Sequence, residues 1–270
     1  METLKALEDF YGNYDEENRL TSRHGSVEFL TTMRYIEKYL KPGMRILEIG
    51  AATGRYSHTL ARRGFAVEAV ELVQHNIDLF NANTQPGENV RIRQGNAKNL
   101  SCFADDSFDM TLLLGPMYHL FTVEQQRQAL AEAVRVTKSG GFLFAAYCGN
   151  DATMVQYCFG RGMLKLERYR NLVDFDTFKA SSDPAELFQL YRKEDIDALM
   201  ADFPTRRLHY VGTDMATNYM RDVVDEMDDD FFNLYLRYHF TICERSDMVG
   251  TSHHILDIHR IIANTLAQPK

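Results

Sequence analysis

Three short apolar runs each end in residues able to do chemistry. "RILEIG" carries Glu48 two residues before Gly50, and the chain then runs through Gly54 into a helical pattern. Glycines there allow a sharp turn and a close approach of backbone to a ligand. A carboxylate at that point can take the amino group of an amino-acid-like ligand, directly or through water. "AVEAVEL" ends at Glu71, where a carboxylate can accept both hydroxyls of a ribose through charge-assisted hydrogen bonds. "FDMTLLLG" leads into "PMYHL", which sets Tyr118 and His119 just past a third run. Each feature taken singly also fits a purely structural part: a tight turn without ligand, a solvated glutamate, a histidine shaping a wall.

The elements that must hold these residues alternate. "RILEIG", "AVEAVEL", "VRIRQG", "FDMTLLLG" and "GFLFAAY" read as strands. Between them, "RYSHTLARRG", "QHNIDLFNANT" and "VEQQRQALAEAVRVTK" read as helices. Thr122 and Gln125 suggest a capping box for the last, and Ser139-Gly140-Gly141 its end. Strands alternating with helices imply right-handed crossovers and a mainly parallel sheet. Near-continuous apolar strands imply a sheet covered on both faces. Before this block, Val27, Leu30, Met33, Ile36 and Leu40 recur at helical spacing up to Pro42-Gly43. After Tyr147 the pattern loosens. A short helix at 192–200, a strand in "RRLHYVGTD", a helix around "DDDFFNLYLRYHF" and a final strand "HHILDIHRII" follow.

Ligands of open α/β sheets bind at the carboxyl ends of strands, where the residues above lie. A dinucleotide-binding loop would need G-x-G-x-x-G. The register here gives Gly50, Ala52 and Arg55, which argues against pyrophosphate binding.

The net charge of −8 and the lack of a Lys/Arg cluster argue against a nucleic-acid partner. Cys102, Cys148, Cys158 and Cys243 have no metal-type spacing and read as reduced thiols. No run approaches the ~18 apolar residues of a membrane span. The acidic amino terminus lacks an apolar signal region, so the expectation is a cytoplasmic protein without a membrane partner.

In register, these motifs resemble class I S-adenosylmethionine-dependent methyltransferases over about residues 26–147. "ILEIGAATGRYS" resembles their E/D-x-G-x-G-x-G loop, "VELVQHNI" their second strand end, "QGNAKNL" their adenine-contact segment and "VTKSGGFLFAAY" their fifth strand. "GPMYHL" resembles a bacterial subgroup of the same enzymes. The resemblance implies a Rossmann-like, doubly wound, mainly parallel seven-stranded α/β sheet with helices on both faces. It implies S-adenosylmethionine as cofactor and S-adenosylhomocysteine as product. It places Glu48, Gly50 and Ala51 near the methionine amino group and Ala52 and Gly54 along the methionine and ribose portions. Glu71 would take the ribose hydroxyls, Leu72 and Ala97 the adenine, Asn96 its amino group, and Leu114 and Gly115 the sulfonium end. Ala52 stands where a middle glycine is usual, and Asn96 where Asp is more common.

Methyl transfer is an in-line displacement that needs alignment and exclusion of water, and a base only when the acceptor must lose a proton. Tyr118 and His119 are the catalytic candidates, with pocket wall as the alternative role of each. An amino-terminal cap, 1–40, brings Tyr11, Tyr14, Arg19, Arg23 and His24 over the cofactor, with Tyr14 the preferred contact. A tyrosine face there would favour a sulfonium by about 0.5–2 kcal/mol. Around the core, 41–147, segments 148–191 and 216–249 are expected as helical lids carrying Tyr147, Tyr157, Arg161, Phe231, Phe232, Tyr235 and Tyr238. Segments 192–215 and 250–270 would complete the sheet of one domain. His253 and His254 face opposite ways if on a strand, so no metal is expected. The expected function is methylation of a small-molecule acceptor. RNA or protein methylation, a non-catalytic S-adenosylmethionine-binding module and, more distantly, a nicotinamide-dependent oxidoreductase are the alternatives. Oligomeric state is not legible.

Overall fold

A computed structural model describes residues 2–263. The expected closing segment 250–270 can therefore be followed only to 263, and 264–270 lie outside the described residues. The principal strands are β1 (Arg45–Ile49), β2 (Ala66–Glu71), β3 (Val90–Gln94), β4 (Phe108–Leu113), β5 (Thr137–Gly149), β6 (Thr205–Gly212) and β7 (His254–Ile261). They form one sheet in the order β3-β2-β1-β4-β5-β7-β6. The first five pair in parallel, while β7 runs antiparallel to both β5 and β6. A two-residue strand, Leu190–Tyr191, adds in parallel to the end of β5. This is the Rossmann-like architecture expected from the alternation.

The principal helices are α1 (Glu2–Tyr11), α2 (Arg23–Tyr39), α3 (Arg55–Arg62), α4 (Gln74–Asn83), α5 (Val123–Val136), α6 (Lys193–Met200) and α7 (Asp229–Ile242). Side chains of successive strand residues go to opposite faces, and the core divides accordingly. Ile46, Leu112, Phe144 and Leu256 pack with α2 and α3 through Met33, Ile36 and Leu60. Leu47, Leu113 and Leu143 pack with α5 and α6 through Leu130, Ala133, Ile196 and Leu199. Each such fully buried aliphatic side chain stabilises the fold by about 1.5–3 kcal/mol. Both faces of β1 and β4 are thereby covered, which leaves their carboxyl ends as the free edge.

Local chemistry sets most boundaries. The Ser22 side chain caps α2 by accepting the Gly25 N–H, and Asp228 caps α7 by accepting the Phe231 N–H. Thr122 accepts the Gln125 N–H, while the Gln125 amide oxygen reaches back to the Phe121 N–H, one residue before the cap. One boundary differs from expectation. Helix α5 stops at Val136, and Gly140 and Gly141 lie inside β5. A Cβ on Gly141 would stand 2.8 Å from the Asp109 and Lys138 carbonyl oxygens. Gly141 therefore admits close backbone packing, and Gly140 holds a left-handed φ of 79°, rather than the two ending a helix. The amino-terminal 40 residues form two helices, α1 and α2, separated by a non-helical stretch.

Candidate active site

A cavity of about 970 Å³ opens at the carboxyl edge of the parallel strands. The β1–α3 turn contributes Glu48, Gly50, Ala51 and Ala52 to its wall. The end of β2 contributes Glu71 and Leu72, the turn after β3 contributes Asn96 and Ala97, and the end of β4 contributes Leu114, Gly115, Tyr118 and His119. Tyr14 closes it from the amino-terminal side. Of the residues singled out from the sequence, Gly54 lies outside this lining. Its φ of 92° and an added Cβ 2.5 Å from the His58 ring show that it makes room for α3 against Phe80 of α4.

Glu48 is 2% exposed and accepts the Ser57 hydroxyl. Burial pushes its carboxyl up to about 8, against the pull of the Ser57 hydrogen bond. Such a group awaits a cationic or donor partner. Glu71 is also buried, and its two oxygens accept the Ala52 and Val73 N–H groups, each at 2.9 Å. Burial raises this carboxyl and the backbone donors pull it back. Each oxygen keeps a lone pair for a further donor. Gly50 has φ 79°, and a Cβ there would meet the Pro116 ring at 2.6 Å. Ala52 holds a left-handed φ of 46° despite its Cβ. The Asn96 amide oxygen accepts the Lys98 N–H at 3.0 Å, tightening its own turn, and an amide oxygen has a second lone pair with which it can accept a further donor.

His119 is engaged at both nitrogens: Nδ1 donates to the Leu187 carbonyl at 2.7 Å, so Nε2 accepts from the Tyr11 hydroxyl at 3.0 Å. Burial lowers its basicity. It ties α1 to the segment before Leu190–Tyr191. Burial holds the Tyr118 hydroxyl well above the usual tyrosine range, so it stays protonated. Its ring lies 6.0 Å from that of His254.

The segments expected as lids divide. Tyr157 lines the cavity, and the Arg161 guanidinium sits over its ring at 4.8 Å. Tyr147 instead lies in the sheet core, edge-on to Tyr191. Phe231 and Tyr238 face outward from α7, and Phe232 and Tyr235 pack with Val27 of α2. In their place, Asn218 and Arg221 reach the cavity. From the amino-terminal segment Tyr11, Arg19 and His24 line it, whereas Arg23 pairs with Asp229 at the surface.

Among the lining residues that sequence reasoning missed are Glu28, Asn76, Asp214 and His254. The buried Asn76 amide oxygen has no hydrogen-bond partner among the described residues. His253 and His254 do diverge: the His253 ring packs against Tyr157 and Tyr219, and His254 enters the cavity. There His254, Glu28 and Asp214 bring potential ligand atoms within 4.8 Å of one another.

Residues 47–145 match the family model of a methyltransferase domain. Over 105 residues the chain is 33% identical to a demethylmenaquinone methyltransferase of Renibacterium salmoninarum, covering 39% of this chain and 41% of that one. It is 23% identical to a ubiquinone biosynthesis O-methyltransferase of Hahella chejuensis over 72% of this chain and 81% of the relative. The chain thus spans well under half the length of the first of these relatives. Among solved structures, a SAM-dependent methyltransferase from Methanosarcina mazei superposes with TM-score 0.56 at 17% identity, covering 85% of this chain and 98% of that one. Another, a possible histamine N-methyltransferase from Thermotoga maritima, gives 0.56 at 18% identity over 96% and 99% of the two chains. Residues 47–145 are thus a methyltransferase domain, and the fold is one shared with solved S-adenosylmethionine-dependent methyltransferases. S-adenosylmethionine is the cofactor of that class.

The lining fits this cofactor on its own chemistry. Two buried carboxylates with vacant lone pairs suit an ammonium and a pair of hydroxyls, and Gly50 keeps the floor open where a Cβ would collide.

Proposed function

We propose that this protein transfers a methyl group from S-adenosylmethionine to a small-molecule acceptor. The observation that carries the reading is that Glu48, Glu71 and Asn96, from three separate strand ends, line one cavity that continues past Gly115 to Tyr118 and Tyr157. The cofactor supplies a methyl carbon on a positively charged sulfur. Glu48 holds the amino group, Glu71 the ribose hydroxyls, and Asn96 with Ala97 the adenine. Leu114 and Gly115 flank the sulfonium. Helix α1, through Phe10 and Tyr11, and the turn after it, through Tyr14, cover the cofactor and exclude water, with segment 148–191 completing the lid.

The covered cavity supports a small acceptor over RNA or protein, since a polymer needs an open basic groove and the chain carries a net charge of −8. Two relatives named as acting in quinone biosynthesis support an acceptor of similar size. Among the described residues no helix is long and apolar enough to cross a membrane. The test is methyl transfer from labelled S-adenosylmethionine against fractionated metabolite, RNA and protein pools. Label entering a small molecule is expected. Label confined to RNA or protein, or cofactor binding with no transfer to any pool, overturns the reading.

A further inference from the structure

His254 and Asp214 form a second polar centre in the wall of the same cavity. They are 40 residues apart in sequence, and the antiparallel pairing of β6 with β7, Gly212 opposite Ile255, brings them together. The Asp214 carboxylate is buried and fully committed. Oδ1 accepts the Ser252 hydroxyl at 2.6 Å, the His253 N–H at 2.9 Å and the His254 N–H at 3.2 Å. Oδ2 accepts the Asn218 amide and His254 Nδ1, the latter at 2.7 Å. That set fixes both the orientation and the tautomer of His254. Nδ1 carries the proton, and Nε2 makes no hydrogen bond with any described residue. The side chain keeps 25% of its surface open, and it lines the cavity.

The same contacts argue against a bound cation. The lone pair a metal would need on Nδ1 is replaced by an N–H directed at Asp214, and Glu28 is paired with Arg19 at 2.8 Å.

We propose that His254, oriented by Asp214, is the base that removes the proton from an un-ionised, phenol-type hydroxyl of the methyl acceptor. This rests on the methyl-transfer reading above. The O–H bond breaks, Nε2 gains the proton, and the electron pair stays on oxygen for the methyl carbon. The thioether leaves with the sulfur's bonding pair, and Nε2 returns the proton to solvent. The neighbourhood suits such an acceptor. The Tyr118 ring, 6.0 Å from His254, and Tyr157 offer flat walls. Arg19 is occupied by the Glu16 and Glu28 carboxylates.

The charged and titratable groups facing His254 are Asp214 from the turn after β6, Glu28 from α2, Arg19 before α2, Tyr118 after β4, Cys148 opposite it on β5 and its neighbour His253. Burial disfavours the charged ring, but the Glu28 and Asp214 carboxylates outweigh burial and Arg19 and make it more basic than an ordinary histidine. Asp214 conversely lies well below the usual carboxylate range: burial opposes this, and His254, His253 and the Ser252 hydroxyl together outweigh burial.

Two measurements test the proposal on the intact chain with S-adenosylhomocysteine bound. In the first, the His254 ring is titrated by nuclear magnetic resonance. Its midpoint should lie above the ordinary 6.5 and fall by about one unit or more in Asp214→Asn. An unshifted midpoint in a folded Asp214→Asn protein overturns the orienting role. In the second, phenols ranging from un-ionised to ionised at the assay pH serve as acceptors. His254→Gln should slow transfer to un-ionised phenols by about 100-fold or more and spare the ionised ones. Equal loss across the series makes His254 a wall and ends the proposal. A wild-type protein that binds S-adenosylhomocysteine but methylates no phenol overturns the acceptor class. Failure to bind S-adenosylhomocysteine sinks the cofactor reading instead, and the ring titration repeated on the ligand-free chain still tests the His254–Asp214 pairing on its own.

Discussion

The Glu71 carboxylate at the end of β2 accepts the backbone N–H of Ala52 in the turn after β1, at 2.9 Å. One proposed ribose ligand therefore also shapes the turn that would cradle the methionine portion. The turn depends on the left-handed backbone at Gly50 and Ala52, with φ 79° and 46°.

This coupling predicts opposite outcomes at two neighbouring positions. Gly50→Ala combines a strained φ with a Cβ 2.6 Å from the Pro116 ring. It should destabilise the fold by about 1–3 kcal/mol and weaken cofactor binding. Ala52→Gly removes left-handed strain of about 1–2 kcal/mol and restores roughly 0.5–1 kcal/mol of chain entropy cost. It should leave stability unchanged or slightly raised. Denaturant unfolding of both variants checks the pair, and equal losses would contradict the account of the turn.

Glu48 predicts a pH dependence of the ligand-free protein. Its carboxyl sits at about 8 in the fold against an ordinary 4.5. The folded state holds the proton more tightly, so this contribution to stability is full below 4.5 and erodes as the pH climbs towards 8. Glu48→Gln should flatten that decline in thermal melts between about pH 5 and 9. Saturating S-adenosylmethionine should flatten it too, because an ammonium beside Glu48 favours the carboxylate. An identical slope in wild type and Glu48→Gln would contradict the assignment.

His119 is predicted to act through α1. Its ring joins the Tyr11 hydroxyl to the Leu187 carbonyl. His119→Ala breaks both links and should speed hydrogen exchange in α1 and release of S-adenosylhomocysteine. Tyr11→Phe, which loses one of the links, should do the same to a lesser degree, by about 1 kcal/mol. The acid limb of a pH–rate profile should persist in His119→Ala. Its disappearance would return the base role to His119.

Much of this arrangement was legible because local patterns carried it. Short apolar runs, each closed by a glycine or acidic residue, placed β1 to β4 and put Glu48, Glu71, Asn96 and Gly115 at strand ends. Gly54 misled because a glycine in that loop reads as a ligand contact, whereas its missing Cβ clears His58 and Phe80. The aromatics of α7 misled for a related reason: composition does not say which face of a helix turns inward. Asp214 and His254 were illegible for a stronger reason. Neither belongs to a spaced motif, and only the register of two antiparallel strands joins them. The pair His253-His254 was visible, but strand alternation explained it away without showing which ring reached the cavity. Asn76, one turn into α4, carried no signal beyond being a polar residue in a helix.

The central claim is that side chains from successive strand ends meet on one adenosyl ligand. Calorimetric titration with S-adenosylhomocysteine tests it most directly. Wild type should bind one equivalent. Glu71→Gln keeps the size of the side chain but loses charge-assisted bonds of about 1.5–3 kcal/mol, and should bind roughly 10- to 100-fold more weakly with the fold intact. Absence of binding to wild type, or equal affinity in Glu71→Gln, would contradict the account.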